Sequence, residues 1–370
     1  MKRLISFLIL ITIFIGCRPK QNDENTSILP TNFIVDIPSS LSSDQSPQNK
    51  KNIDTIISGE ELYNYLRYFI NVGEKASQIV QDIINTIHKY NLSQDATFSF
   101  TGEDQQIKNV IIKSNISYDG ETWKYGLQIT DANSETNQDG GIAIQIYWNK
   151  FPVKGIAILK PLYINTQEYE TWTNTMIKIY YSEAEPTFYE QYMVVSITEL
   201  PQNTNDRFAI RNLKMFVGKQ STRTDVFGNS QHPNAWILIP ENKGYNWAFV
   251  ASAIEAEEIA VAEVGLPSDM YNSSSRRELL EDYSLYNVLK EEIKEWYYQE
   301  NGTYPDSLLL DQYLVNAKAP AHFTNNGFLP AQLAINPMFT SLEDHIKILS
   351  PYNPYQVAIM NISFAPFPTN

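Results

Sequence analysis

The chain has 370 residues and a net charge of −14, from 28 basic and 42 acidic side chains. An apolar share of 43% with 12% aromatics excludes a wholly disordered chain, because that much apolar area can outweigh chain entropy. The acidic balance argues against nucleic acid as a partner, since Lys and Arg must replace counterions along the phosphates, and the length suits about two domains.

Lys2 and Arg3 precede an apolar stretch at residues 4–16. A helix crossing ~30 Å of hydrocarbon needs about 20 apolar residues, so residues 1–16 read as a signal peptide that takes no part in the fold. The block "IFIGC", residues 13–17, resembles the lipobox of bacterial lipoproteins. Small Gly16 directly precedes Cys17, aliphatic residues lie upstream, and Phe14 stands where the family usually has Leu. The resemblance implies cleavage before Cys17, a diacylglycerol on its thiol and an acyl chain on its amine. Cys17 is the only cysteine, which agrees with a thiol needed once, as an anchor, in an exported chain without disulfides. Two or three acyl chains hold a protein stably on a membrane. Arg18, rather than Asp, follows the cysteine, which in enterobacterial lipoproteins implies sorting to the outer membrane.

Residues 17–52 are expected to form a lipidated flexible tether. "RPKQNDENTSILPTNF" and "IPSSLSSDQSPQNKKN" are rich in Asn, Gln, Ser and Pro and show little periodic hydrophobicity. Residues 53–247 are expected to form a helix plus an antiparallel β-sheet. Ser58 and Glu61 make a capping box, and Leu62, Leu66, Phe69, Ile70, Val80, Ile83, Ile84 and Ile87 recur at helical spacing up to His88, with Gly73 expected to divide the helix.

From about residue 95 the period becomes two. Val110, Ile112 and Ile116 alternate up to Asp119-Gly120, a two-residue turn signal. Trp123, Leu127 and Ile129 alternate after it, so one register sets Ile116 opposite Trp123. Trp123 is expected to pack against the helix of residues 58–90. The runs "GIAIQIYWN", "KGIAILKPLYI", "TMIKIYYSE", "TFYEQYMVVSITEL", "FAIRNLKMFVGK" and "NAWILIP" extend this to seven or more antiparallel strands with no helical crossover between them. Residues 248–370 read as mainly helical. "AIEAEEIAVAEVGLP" is Ala/Glu-rich and stops at Gly265, and a second capping box, Ser275 and Glu278, opens another helix that Gly302 ends. Within it, "YNVLKEEIKEWYYQENGTYPDSL" resembles the helix-then-"NGxYP" segment of type II secretion pseudopilins over about twenty residues; an amphipathic helix, a Gly stop and a Pro turn account for the likeness. "QVAIMNISF" is the candidate final strand. The fold class is therefore α+β: an antiparallel β-meander, as a curved sheet or partial barrel, packed with an N-terminal helix and a C-terminal helical region.

Motifs for phosphate loops, zinc proteases, thiol redox pairs and nucleophile elbows are absent from the sequence. Asp225, Ser230 and His232 lie close together in sequence, but a polar loop explains "GNSQHPNAW" equally well. Asp131, Asn133, Glu135 and Asp139 alternate as calcium ligands do. Thr136 and Ile142, however, occupy the places of the Gly and Glu that a calcium loop of that kind requires. No cofactor is implied. The leading functional expectation is an envelope-anchored, non-catalytic binding protein on the extracytoplasmic side, held to the membrane by its lipid and taking a glycan or protein ligand. The alternative is a lipid or hydrophobic-ligand carrier using the concave face of the sheet, whose architecture resembles that of periplasmic lipoprotein carriers. An enzyme of unrecognised type comes third.

Overall fold

The computed structural model describes residues 28–45, 58–90, 92, 95–183, 188–203, 206–330, 333–334 and 337–367. The signal peptide and residues 17–27 and 46–52 of the expected tether, with Cys17, lie outside these. Helix α1 (Gly59–His88) opens with the Ser58 side chain accepting from the Glu61 N–H at 3.2 Å, as the capping box requires. It runs unbroken through Gly73. A Cβ there would lie 2.5 Å from Cε of Met215, so the glycine serves close approach to the sheet and does not end the helix.

The sheet has thirteen strands in the order of the chain, each antiparallel to the next. They are β1 (Ala96–Thr101), β2 (Ile107–Tyr118), β3 (Glu121–Asp131), β4 (Ile142–Lys150) and β5 (Val153–Leu159). After a short helix α2 (Pro161–Ile164) come β6 (Met176–Ser182), β7 (Gln191–Thr198), β8 (Asn212–Gln220), β9 (Arg223–His232), β10 (Tyr245–Ile254) and β11 (Ile259–Gly265). Helices α3 (Leu285–Asn301) and α4 (Ser307–Tyr313) precede β12 (Ala321–Thr324) and β13 (Gly327–Leu329), and α5 (Pro337–Ile346) and α6 (Pro354–Ala358) follow. The sheet is open, with β1 and β13 as its edges. The fold is the α+β meander expected from sequence, with more strands.

The β2–β3 hairpin turns at Asp119 and Gly120, both at positive φ (53° and 77°), and pairs Ile112 with Leu127, Val110 with Ile129 and Ile116 with Trp123. That register is the one read from the sequence. The face of Trp123 is not. Val110, Ile112, Leu127 and Ile129 join the core that contains α1. Ile116 and Trp123 belong instead to a cluster with Tyr147, Ile156, Ile158 and Ile362. Between the two sets the ladder skips Asn115 and Lys124, and Asn115 has φ 55°. A left-handed residue inside a strand breaks the strict alternation of side chains, so the tip of the hairpin presents its apolar residues to the opposite core.

Residues 28–45 are not a tether. Ile28, Leu29, Phe33, Val35, Ile37 and Leu41 are all buried, and the segment runs antiparallel to α1 as a strap. His88 Nε2 meets the Pro30 carbonyl at 2.9 Å, Gln81 accepts from the Phe33 N–H at 2.8 Å, and the Arg67 guanidinium donates to the Ser39 carbonyl at 2.5 Å. Phe33 stacks on Tyr181 with centroids 5.6 Å apart. A Cβ at Gly155 would lie 2.5 Å from the Phe33 ring, so the glycine makes room for the phenyl. The few apolar residues of this stretch are spaced to reach one core, a pattern that average composition hides.

The C-terminal region differs from expectation too. "AIEAEEIAVAEVGLP" forms no α-helix: β10 and β11 form a hairpin in full register from Ala248–Gly265 to Ile254–Ile259, joined by a 3-10 turn at Glu255–Glu257. The boundary expected at 247/248 therefore falls inside β10, and the sheet continues to β13. "NAWILIP" is not a strand; it lies between β9 and β10 with Ala235, Ile237 and Ile239 buried. "QVAIMNISF" forms α6 and then an extended tail outside the sheet. Gln145 of β4 fixes that tail by donating to the Ala365 carbonyl at 2.7 Å and accepting from its N–H at 3.0 Å. Ile362, Phe364 and Phe367 then pack over Trp123 and Tyr147. Helix α5 covers β10 and β11 on the outer side through Phe339, Leu342 and Ile346.

Phe33→Ala and Trp123→Ala should each lower the unfolding free energy by about 3–5 kcal/mol, the range for emptying an aromatic site in a core. Denaturant melts check both. If the Phe33→Ala melt overlays that of the wild type, the strap is not part of the core.

Candidate functional site

The two aspartates of loop 131–141 are paired with protein cations. Lys108 of β2 is fully buried, and its ammonium donates to Asp131 at 3.0 Å, Asp104 at 2.9 Å and the Tyr163 carbonyl at 2.8 Å. Burial opposes ionisation of Asp104, but hydrogen bonds from the Thr166 and Gln106 N–H groups and from Lys108 outweigh it and hold the carboxyl below its ordinary range. Asp139 accepts from Lys160 at 2.7 Å and from the Tyr163 hydroxyl at 3.1 Å. Glu135 accepts from Asn109 at 2.7 Å, and Asn133 donates to Gln106. The four residues point to separate partners and tie the end of the β2–β3 ladder to α2. No group of three His, Cys, Asp or Glu among the described residues is placed to hold a metal ion.

Asp225, Ser230 and His232 all lie on β9, a strand the sequence reading took for a loop. Alternation sends Ser230 and His232 to one face and Asp225 to the other. His232 Nδ1 lies 2.8 Å from the Phe208 carbonyl, which can only accept, and Nε2 lies 2.7 Å from Ser230 Oγ. The neutral ring therefore carries its proton on Nδ1, and the serine donates to Nε2. This is the geometry of a base next to a nucleophile, but both residues are completely buried and the ring is wedged between Phe69 (4.3 Å) and Trp247 (4.6 Å). No substrate reaches it. Burial pushes the His232 pKa down to about 3, against the smaller opposing effect of the Phe208 carbonyl.

On the outer face, Asp225 is equally buried and accepts from Ser252 at 2.6 Å, His345 of α5 at 2.8 Å and Tyr189 at 2.9 Å. Arg223 Nε lies 3.5 Å away. Burial first, and then the adjacent Asp225 charge, push the Tyr189 hydroxyl above its ordinary pKa. A cavity of about 340 Å³ opens beside this cluster, lined by Glu190, Gln220, Arg223 and Ser341 among others. The carboxylate latches α5 to the sheet.

A larger cleft, about 470 Å³, lies where the strap, α1 and the β12–β13 turn meet. Its floor is Arg67, Asn71 and Glu74, at i, i+4 and i+7 on one face of α1. Ser39, Ser42 and Gln45 of the strap form one wall, and Asn325 and Asn326 of the turn form the other. Ser42 donates to Glu74 at 2.5 Å, and Asn71 donates to Ser42 at 2.9 Å and to Glu74 at 3.2 Å. Arg67 is only 7% exposed, and no acid pairs with it among the described residues. Its Nη2 serves the Ser39 carbonyl, its plane lies 5.9 Å from the Phe323 ring centroid, and Nη1 is beside Gly327 with no acceptor among the described residues. Burial lowers its pKa with no acid to offset the effect. Arg67 Nε and Asn71 Oδ1 are likewise buried without hydrogen-bond partners.

A buried, unpaired guanidinium is costly for stability, and perturbed groups of that kind concentrate at binding and catalytic sites. The sequence reading missed Arg67. Its signal was a charged residue inside the run "LYNYLRYFIN", where α1 is buried almost all round.

Comparisons with protein-family models, with curated proteins and with solved structures returned no match.

The His232 environment makes a pH test. A ring neutral in the folded state down to about pH 3 takes a proton in the unfolded state below about pH 6.5. The unfolded chain then binds more protons, so stability falls as pH drops through that window. Comparing His232→Asn with the wild type in urea from pH 7 to pH 4, the stability gap should narrow by about 1 kcal/mol per pH unit below pH 6.5. A gap that stays constant would mean that the ring is reached by solvent.

Proposed function

We propose that the protein is an envelope-anchored, non-catalytic binding protein whose ligand is a glycan held in the Arg67 cleft. The observation that carries this reading is the lining of that cleft: serine hydroxyls, asparagine and glutamine amides, one guanidinium and two carboxylates, contributed by three separate elements. Groups that donate and accept at short range match a ligand dense in hydroxyls. The Cys17 lipobox supports the envelope address and an anchor on the extracytoplasmic side.

The carrier alternative requires an apolar chamber against the sheet. On the α1 side the sheet is filled by Leu62, Leu66, Phe69 and Val80 of the helix and by Phe33 and Val35 of the strap, and both cavities described above are lined mainly by polar groups. An enzyme would need an accessible base, and His232 is sealed.

Two measurements test the proposal. Metabolic labelling with an alkyne fatty acid should mark the wild type and leave Cys17→Ala unmarked; equal labelling removes the anchor. Full-length protein in detergent micelles should retain oligosaccharides on a glycan array, with the signal reduced at least fivefold by Asn325→Ala. Retention of lipid and no glycan by the purified protein, seen by native mass spectrometry, would favour the carrier instead.

A further inference from the structure

The cleft contains one element that a neutral sugar does not use: a cation at its floor that no acid among the described residues pairs with. We propose that the ligand carries a carboxylate seated on Arg67, which makes it an acidic glycan that presents one uronic acid or related sugar acid to the cleft. This rests on the glycan reading above and narrows it.

Arg67 has donors to spare among the described residues. Nη2 has given one N–H to the Ser39 carbonyl, and Nη1, beside the β12–β13 turn, meets no acceptor among the described residues. Guanidinium N–H groups in a planar fork match a carboxylate, and a charged hydrogen bond is about twice as strong as a neutral one. The residue is more than nine-tenths buried, so a carboxylate arriving there meets a cation that is little screened by water.

The acids around the cleft set the size of the ligand charge. Glu74 lies two turns along the same face of α1, and Asp44 is on the strap wall. One negative charge neutralises Arg67. A doubly charged phosphate would face repulsion from both acids after the single guanidinium was satisfied, so a carboxylate fits and a phosphate does not. Glu74 also has a positive use. Its Oε2 is held by Ser42 and Asn71, which orients the carboxylate to accept from ligand hydroxyls about 10 Å along the helix from Arg67, by the axial rise over seven residues. That span is about two sugar units, so the cleft is suited to an acidic disaccharide segment more than to a single ring. The turn residues Asn325 and Asn326 offer amides to the intervening hydroxyls.

The test uses full-length protein in detergent and saturation-transfer NMR titrations with paired probes. Galacturonosyl-galactose, with one carboxylate, and galactobiose carry the two chemistries, carboxylate and hydroxymethyl, and trialanine carries a carboxylate without a sugar. The wild type should bind galacturonosyl-galactose at least tenfold more tightly than galactobiose and should not bind trialanine. Arg67→Met should bring the two sugars to the same affinity, while Arg67→Lys retains part of the preference. Thermal melts of both variants, unchanged within a few degrees or raised, would show that the fold is intact. Equal binding of both sugars by the wild type overturns the carboxylate assignment and leaves the glycan reading in place. A preference that survives Arg67→Met, in a variant whose melt is intact, overturns the role of Arg67. Binding of neither sugar overturns both, and binding of trialanine alone would assign the cleft to a peptide carboxylate.

Discussion

A sheet thirteen strands wide has two faces to keep from water, and the placement of most other segments follows from that requirement. The meander brings little help of its own: each strand pairs antiparallel with the last, so the described strands need no parallel crossover helices of the α/β kind, and α3, between β11 and β12, adds Leu285, Leu289 and Ile293 to one side. Cover comes mainly from the two ends of the chain. The strap at residues 28–45 and α1 take one face. The tail at residues 359–367 and α5 take the other, in two separate clusters. The cleft above Arg67 lies at the seam where the first of these covers meets the β12–β13 edge. Its polarity follows from that position, because the strap has left the core and presents serines.

How much of this the sequence revealed depended on how many faces of a strand are buried. From β2 to β3 one residue in two is partly exposed for much of the length, and the alternation with the Asp119-Gly120 turn specified strands, turn and register together. In β10 and β11 both faces are buried, Trp247, Phe249 and Ala251 towards α1 and Ala248 and Val250 towards α5. Alternation then disappears and leaves a continuous apolar run. The small size of Ala248, Ala251, Ala253, Ala260 and Ala262, which suits packing on both sides, is also the strongest helix signal known. Helix propensity and two-sided burial therefore gave opposite readings of the same residues. The strap was hidden for a different reason. Seven apolar residues among eighteen look like a linker until something supplies the core they fit.

The same logic governs the site. Ser230 and His232 attracted notice because their side chains can do chemistry, yet their strand is interior and the pair satisfies one another's hydrogen bonds. The calcium-like spacing of Asp131 to Asp139 was real spacing, but Lys108 and Lys160 reach it from positions 23 and 21 residues away, beyond the range of any local pattern. Arg67 had a weak signal, since a lone charge on an amphipathic helix normally faces solvent. Only the arrival of the strap from thirty residues upstream turned that position inward. Long-range partners decided all three cases.

The central claim is that the strap is part of the folded body and forms a wall of the cleft. Hydrogen–deuterium exchange measures this directly on the intact protein. Amides of residues 33–43 held by α1, including Phe33 on Gln81 and Ser43 on the Arg67 carbonyl, should be protected to nearly the same degree as those of α1 itself. Exchange of the whole strap at the rate of an unstructured chain, with α1 still protected, would contradict it.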